Sequence, residues 1–356
     1  MKRIATALAL TLTVALFIAD QSSKASGKAS GKASGRSSDP AAVRKAIEKS
    51  LPLLESIRLP FIEKTGCASC HHNSLPAMAA ALARERGFKL NERTSLEESE
   101  QILGIWNTGR EKLLQGDGFG GAQVTASYTL VGLAANKQSP NKTTDAIVHY
   151  LIGRQIADGH WSGLANRPPL GGSDIATTAL ALRALRLYAP KGLGQEAFNS
   201  VELARKWLAK ADSRSNEDQA FQLLGLAWAN ADKQTLQKMA QGLLARQRKD
   251  GGWGQRTTLE SDAYATGQAL VALHQAGGLP VTHRAYQRGV DYLLANQAAD
   301  GSWAVQTRSF PFQKYFESGF PYGHNQWISA AASSWATMAL TLTFEAPVNL
   351  TRGGPQ

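Results

Sequence analysis

Three seven-residue segments of this chain repeat one pattern: Gln155-Ile-Ala-Asp158-Gly159-His160-Trp161, Gln247-Arg-Lys-Asp250-Gly251-Gly252-Trp253 and Gln297-Ala-Ala-Asp300-Gly301-Ser302-Trp303. Each follows an amphipathic run and precedes a small-residue helical pattern, so the segment reads as the elbow of a repeated helix pair. The elbows start 92 and 50 residues apart, and the longer interval holds two units with one degenerate elbow near Ala211 to Asn216. A weaker copy, Gln115-Gly-Asp117-Gly118-Phe119, starts 40 residues before Gln155. Residues Ala41 to Gly87 supply a sixth pair, whose elbow is replaced by Cys67-Ala-Ser-Cys70-His71-His72. Repeat units bury their apolar faces against neighbours, and six pairs can close on themselves. The expectation is an all-α fold, a single (α/α)6 toroid over residues 40–346 with a tail at 347–356.

Two kinds of helix alternate. Leu236, Met239, Ala240, Leu243 and Leu244 form one apolar stripe opposite a charged face, as do Tyr286, Val290, Leu293 and Leu294, which suits an outer ring facing water. The second helix of each unit is small and apolar on several faces, for example Thr177 to Leu185 and Thr266 to Leu273, which suits an inner ring packed on both sides. Asp-Gly in the elbow makes a tight turn, Trp a large apolar wedge with one donor, and Gln a bridge between helix ends.

The N-terminus pairs Lys2 and Arg3 with an apolar stretch from Ile4 to Ile18, which is short for a membrane span and reads as a signal peptide over residues 1–25. Residues 26–39 continue a Lys-Ala-Ser-Gly repeat and read as a flexible linker. The chain is therefore expected to be exported, to a periplasmic or other extracytoplasmic space. Much of the net charge of +11 lies in this tail, which suits association with an anionic membrane surface. The remainder has no basic block with interleaved aromatics, so nucleic-acid binding is not expected.

The Gln-x-x-Asp-Gly-x-Trp elbows resemble the QW repeats of squalene-hopene cyclases and related terpene cyclases, and the helix pairs are similar to the wider α/α-toroid group with its prenyltransferase repeats. The resemblance covers roughly residues 41 to 345. It implies a hydrophobic or isoprenoid small molecule as ligand and an acid that protonates it. In that family an Asp-x-Asp-Asp motif carries the proton. The counterpart here, Asp174-Ile175-Ala176-Thr177-Thr178-Ala179, keeps the first Asp but has Ala and Thr in place of the other two, and Ser261-Asp262-Ala263-Tyr264 does no better. Asp174 and Asp262 are candidate acids, with helix capping as their plain alternative. Tyr128, Phe221, Tyr264 and Trp335 fall in inner-helix patterns, where they line a cavity or fill the middle of the ring.

Cys67 and Cys70 are the chain's two cysteines, and His71 follows directly. Cys-x-x-Cys-His resembles the covalent attachment site of haem c, in which both thiols bind the macrocycle and the His binds iron. Zinc or another transition metal held by the cysteines with His71, His72 or His324, and a Cys67–Cys70 disulfide, are the alternatives. His324 is the first candidate for a sixth iron ligand, beside His72, Met78 and His160. The combined reading is a toroid with haem or metal at the mouth of an apolar cavity, acting in redox chemistry with a redox partner. The alternatives are an isoprenoid cyclase or isomerase with an atypical acid, and a non-catalytic scaffold.

Overall fold

The computed structural model describes residues 38–118, 121–163, 167–311 and 315–347. The export segment, nearly all of the expected linker and the C-terminal tail from residue 348 lie outside the described residues. The last two linker positions belong to the folded ring: the Asp39 side chain accepts from Ala41 N at 3.0 Å, and Ser38 Oγ donates to Asp291 at 2.6 Å. Among the described residues, no helix is long and apolar enough to cross a membrane.

Among the described residues, fourteen α-helices follow in chain order: α1 (Pro40–Ser56), α2 (Arg58–Thr65), α3 (Leu75–Glu85), α4 (Glu92–Thr108), α5 (Arg110–Leu114), α6 (Ala122–Ala135) and α7 (Lys142–Gly153), then α8 (Asp174–Tyr188), α9 (Gly194–Leu208), α10 (Asn216–Trp228), α11 (Lys233–Leu244), α12 (Ala263–Gln275), α13 (Arg284–Ala295) and α14 (Gln326–Thr341). A two-stranded antiparallel ribbon, β1 (Trp253–Gly254) with β2 (Ser261–Asp262), joins α11 to α12. Helices α3, α6, α8, α10, α12 and α14 pack each on the next, and α14 packs on α3, so the inner ring is closed. Helices α1, α4, α7, α9, α11 and α13 form the outer ring. The expected (α/α)6 toroid is the observed architecture.

The elbows work as interchangeable parts. Trp161, Trp253 and Trp303 are each fully buried, and their indole Nε1 donates to the last turn of the preceding outer helix, to Leu151 O, Leu243 O and Leu293 O at 2.7–2.9 Å. Their backbone N–H groups are taken by hydroxyls of the following inner helix, Thr178, Thr266 and Ser333. Gln155, Gln247 and Gln297 each bridge two carbonyls, one in the elbow and one in the next outer helix: Ser200 O, Ala285 O and Ala46 O respectively. The last of these bonds ties the final repeat to α1 and closes the outer ring. Glycine is required at the turn because φ is near +100°, and because a Cβ at Gly159 would stand 2.5 Å from Leu203 O and one at Gly301 2.6 Å from Lys49 O.

The degenerate elbow between α9 and α10 has no tryptophan, and its donor comes from elsewhere. Gln222 of α10 reaches back and donates to Leu208 O at 2.7 Å and Ala211 O at 2.9 Å, doing for α9 what the indole does for the other outer helices. The weaker copy at Gln115 cannot be compared in full, since Phe119 lies outside the described residues. In the inner ring, small residues let backbones meet: a Cβ on Gly267 would lie 2.6 Å from Ala336 N.

Candidate active site at the rim of the ring

The Cys-His motif sits at the rim because its local hydrogen bonds wind it into the start of α3. Ser69 accepts from His72 N at 3.0 Å, and Asn73 Oδ1 accepts from Ser69 N at 2.9 Å, which holds Cys70–Ser74 in one wide helical turn. Asn73 Nδ2 then donates to Arg58 O and to Glu98 Oε1, anchoring the turn on a buried ion pair between Arg58 and Glu98. Asn136 completes that network, accepting from Arg58 at 2.8 Å and donating to Glu98 at 2.7 Å. None of these anchoring residues was singled out from the sequence. The one hint was Arg58, a charge at an otherwise apolar junction.

His71 and His72 are buried, and burial holds both imidazoles neutral: His71 well below its usual range and His72 down to about 3. Their Nδ1 atoms are hydrogen-bonded to each other. Arginine can only donate, so the Arg167 contact at 3.1 Å makes His71 Nε2 an acceptor and leaves the His71 proton on Nδ1. His72 Nδ1 therefore accepts, and His72 Nε2–H donates to Ser318 Oγ at 2.8 Å. Ser318 passes its proton toward Gln326 Oε1 at 2.5 Å, and Gln326 Nε2 donates to Phe316 O at 2.6 Å. The result is one directed chain of bonds from Arg167 to Phe316. Phe61 stacks on His72 at 4.6 Å, and Trp327 meets the edge of His71 at 5.9 Å.

This arrangement does not fit a haem on His71, because the nitrogen that would bind iron is held by Arg167 and the other is held by His72. Cys67 is exposed and Cys70 half-buried, as separate thiols, and burial raises both above the usual thiol range. The expected metal set is not assembled. His324 is exposed and packs on Tyr315 at 4.6 Å, and among the described residues no three His, Cys, Asp or Glu side chains are grouped to hold an ion. His160 is occupied elsewhere, bonded to Asp158 at 2.5 Å and stacked on Trp207. Met78 is partly buried against the core.

The two candidate acids differ. Asp174 is half exposed and accepts from Gly163 N at 2.7 Å, with Ser173 taking the capping role on α8. Asp262 caps α12, accepting from Ala265 N at 2.8 Å and from Gln255 Nε2 at 2.9 Å, while burial lifts its pKa to about 6. The acid that sequence reasoning missed is Glu217, in the first turn of α10. It is buried, with Oε2 accepting from Tyr264 OH at 2.8 Å and from Gln268 Nε2 at 2.7 Å. Among the described residues, its Oε1 has no hydrogen-bond partner. Burial raises its pKa to about 7, against the pull of those two donors.

Glu217 lines a cavity of about 80 Å³ with Tyr264, Gln268, Asn216 and Arg308. That cavity adjoins an outer cleft of about 660 Å³, with Gly172, Ser173, Arg214 and Asp218 bordering both. The cleft runs along Trp207 and Lys210 into the degenerate elbow, the sector that lacks its tryptophan. Tyr128, Phe221, Tyr264 and Trp335 are all fully buried, and Phe221 meets Trp335 edge-on at 6.0 Å. All four belong to inner-ring helices, where they are packed away from solvent. Burial raises the pKa of Cys70, Tyr128 and Tyr264, and the charge of Glu217 adds to the rise in each.

Ring, rim and acid together define a terpene-cyclase-like α/α toroid. Residues 218–324 match the squalene-hopene cyclase C-terminal domain. A squalene-hopene cyclase of Bradyrhizobium diazoefficiens is 36% identical over 109 residues, which is 28% of this chain and 15% of that enzyme. Among solved structures, a variant of the type II terpene cyclase MstE from Scytonema bound to merosterolic acid A has a TM-score of 0.57 at 14% identity, covering 85% of this chain and 96% of that one. Another MstE variant, bound to its substrate geranylgeranyl dihydroxybenzoate, has a TM-score of 0.56 at 13% identity, covering 85% and 97%. A glycosidase in complex with glucose matches as well, with a TM-score of 0.56 at 10% identity over 85% of this chain and 96% of that one. Such likenesses establish the fold, and the chemistry has to come from the site.

Proposed function

We propose that this protein is a cyclase or isomerase of an isoprenoid, with Glu217 as the acid that starts the reaction. The observation that carries the reading is the asymmetry of this carboxyl. Both protein donors bond Oε2, which makes Oε2 the carbonyl oxygen of the protonated acid and leaves the proton on the unpartnered Oε1. A pKa of about 7 keeps a large share of the groups loaded at neutral pH and suits general acid–base work near neutrality. After transfer, Tyr264 and Gln268 stabilise the carboxylate, and the ring of Tyr264, which lines the cavity, suits developing positive charge.

The volumes favour a ligand that enters end first. At about 80 Å³ the inner cavity is well below the size of an ordinary ligand pocket, so it admits one end of a chain, while the outer cleft of about 660 Å³ takes the rest. Such a weakly acidic carboxyl also favours a reacting group more basic than a bare alkene. The test is product analysis after incubation with squalene, its epoxide and geranylgeranyl compounds, using wild type, Glu217→Gln and Asp262→Asn. Wild type is expected to convert at least one substrate, Glu217→Gln to lose roughly 10²- to 10⁴-fold in rate, and Asp262→Asn to keep most of it. Equal conversion by wild type and Glu217→Gln would remove Glu217 from the chemistry.

A further inference from the structure

Two buried oxygens on residues of the inner cavity have bonding capacity to spare. Of the buried side-chain atoms that lack a hydrogen-bond partner among the described residues, two belong to residues lining that cavity: Asn216 Oδ1 and Glu217 Oε1, on consecutive positions in the first turn of α10. One amide fixes how both groups are turned. Gln268 Nε2 donates to Glu217 Oε2 at 2.7 Å, which leaves Gln268 Oε1 to accept from Asn216 Nδ2 at 3.3 Å, and Asn216 Nδ2 also donates to Ala265 O at 3.1 Å. Both hydrogens of the Asn216 amide are thereby used inside the protein, and its carbonyl oxygen is the part left over. Asn216 is buried as deeply as the core, so bulk water does not serve that oxygen.

We infer that the inner cavity binds its ligand by a terminal hydroxyl group, and that Asn216 is the residue that selects it. With Glu217 loaded, its Oε1 offers a proton while Asn216 Oδ1 offers only lone pairs, so the two together match a group that is acceptor and donor at once. A hydroxyl is both: its oxygen accepts from Glu217 and its hydrogen goes to Asn216. A hydrocarbon end provides neither, an ether or epoxide provides only the acceptor, and a carboxylate sets further lone pairs against Asn216 Oδ1. Water has the same two capacities as the hydroxyl, and a ligand hydroxyl replaces a water there without loss of either bond. A buried acceptor left without a donor is costly, so a site of this kind discriminates strongly against the end that lacks one. The inference rests on the proposed function for the isoprenoid body of the ligand and adds its reacting group, a hydroxyl oxygen more basic than an alkene and held against the Glu217 proton.

Calorimetry on the full chain at about pH 6, below the Glu217 titration, reads binding apart from turnover. The probes are geranylgeraniol, its methyl ether, and the hydrocarbon in which a methyl group replaces the hydroxyl. Wild type should bind the alcohol roughly tenfold or more tighter than either of the others. Asn216→Ala should bring alcohol and ether to within about threefold of each other, because both still accept from Glu217 and neither then has an Asn216 oxygen to serve. The methyl analogue keeps the shape of the alcohol, so the wild-type comparison decides by itself should Asn216→Ala fail to fold. Equal affinity for alcohol and methyl analogue, no binding of any probe, or a preference for alcohol over ether that survives in Asn216→Ala would overturn the inference. Such a result with Glu217-dependent turnover intact would leave the proposed function standing. Hydroxyl selectivity that needs Asn216, without any Glu217-dependent product, would do the reverse.

Discussion

The rim of this ring carries two buried titratable groups of opposite kinds. In the His71–His72 pair every ring nitrogen has a partner, along one directed chain from Arg167 to Phe316, and both imidazoles are held neutral. In Glu217 one oxygen takes two donors and, among the described residues, the other takes none, and the carboxyl borders a cavity. A group whose capacity is used up by the protein can position a loop, whereas a group with capacity left over can react. The motif with the louder sequence signature has its nitrogens taken up by the protein, while the acid we propose as the proton donor has almost no signature.

That contrast can be broken in several ways, the largest on activity. Glu217→Gln is expected to cost about 10²- to 10⁴-fold in turnover with the melting temperature unchanged or raised, since a neutral amide replaces a buried acid, while His72→Ala should cost stability before activity. Parallel rate and melting measurements would read both. Next comes the base of the histidine turn: Glu98→Ala strands Arg58 in the core and should cost about 3–5 kcal/mol in denaturant unfolding.

The pH dependence sharpens the contrast further. The folded pKa of Glu217 is raised from 4.5 to about 7, so the stability it contributes relative to an unfolded glutamate is full below about 4.5 and lost as pH rises through about 7. The difference amounts to ~3 kcal/mol and should vanish in Glu217→Gln, whereas turnover should hold below about pH 6 and fall as pH rises through about 7, where the folded group loses its proton. His72, depressed from 6.5 to about 3, has the opposite sign. Its contribution is present above about 6.5 and is lost as pH falls toward 3, which acid unfolding of wild type against His72→Ala would show. The smallest effect is Gln222→Ala, which deletes the substitute for the missing tryptophan and should cost about 1–2 kcal/mol without touching turnover.

The fold was legible because its determinants are local and repeated. Gln155, Gln247 and Gln297 make the same pair of bonds, and Trp161, Trp253 and Trp303 the same two, so each copy of the pattern carries its own geometry. The site was not legible in that way. Glu217 stands in Asn216-Glu217-Asp218, which resembles the polar opening of any helix, and its burial depends on Tyr264 and Gln268, 47 and 51 residues away. A signal was present nonetheless, in a carboxylate in the first turn of an inner helix that is apolar from Ala220 to Trp228 save for Gln222. The histidine motif matches a haem site in its residues, while the atoms that occupy its nitrogens, on Arg167 and Ser318, come from distant connections that the motif does not reveal.

The protonation state of Glu217 tests the account most directly. Infrared difference spectroscopy of the full chain, titrated from pH 4 to pH 9, isolates the carboxylic C=O band that disappears in Glu217→Gln. The account predicts that this band persists through pH 6 and titrates away near 7. A band already lost by about pH 4.5, the range of an ordinary glutamate, would mean that the group is a plain carboxylate at neutral pH and cannot be the proton donor.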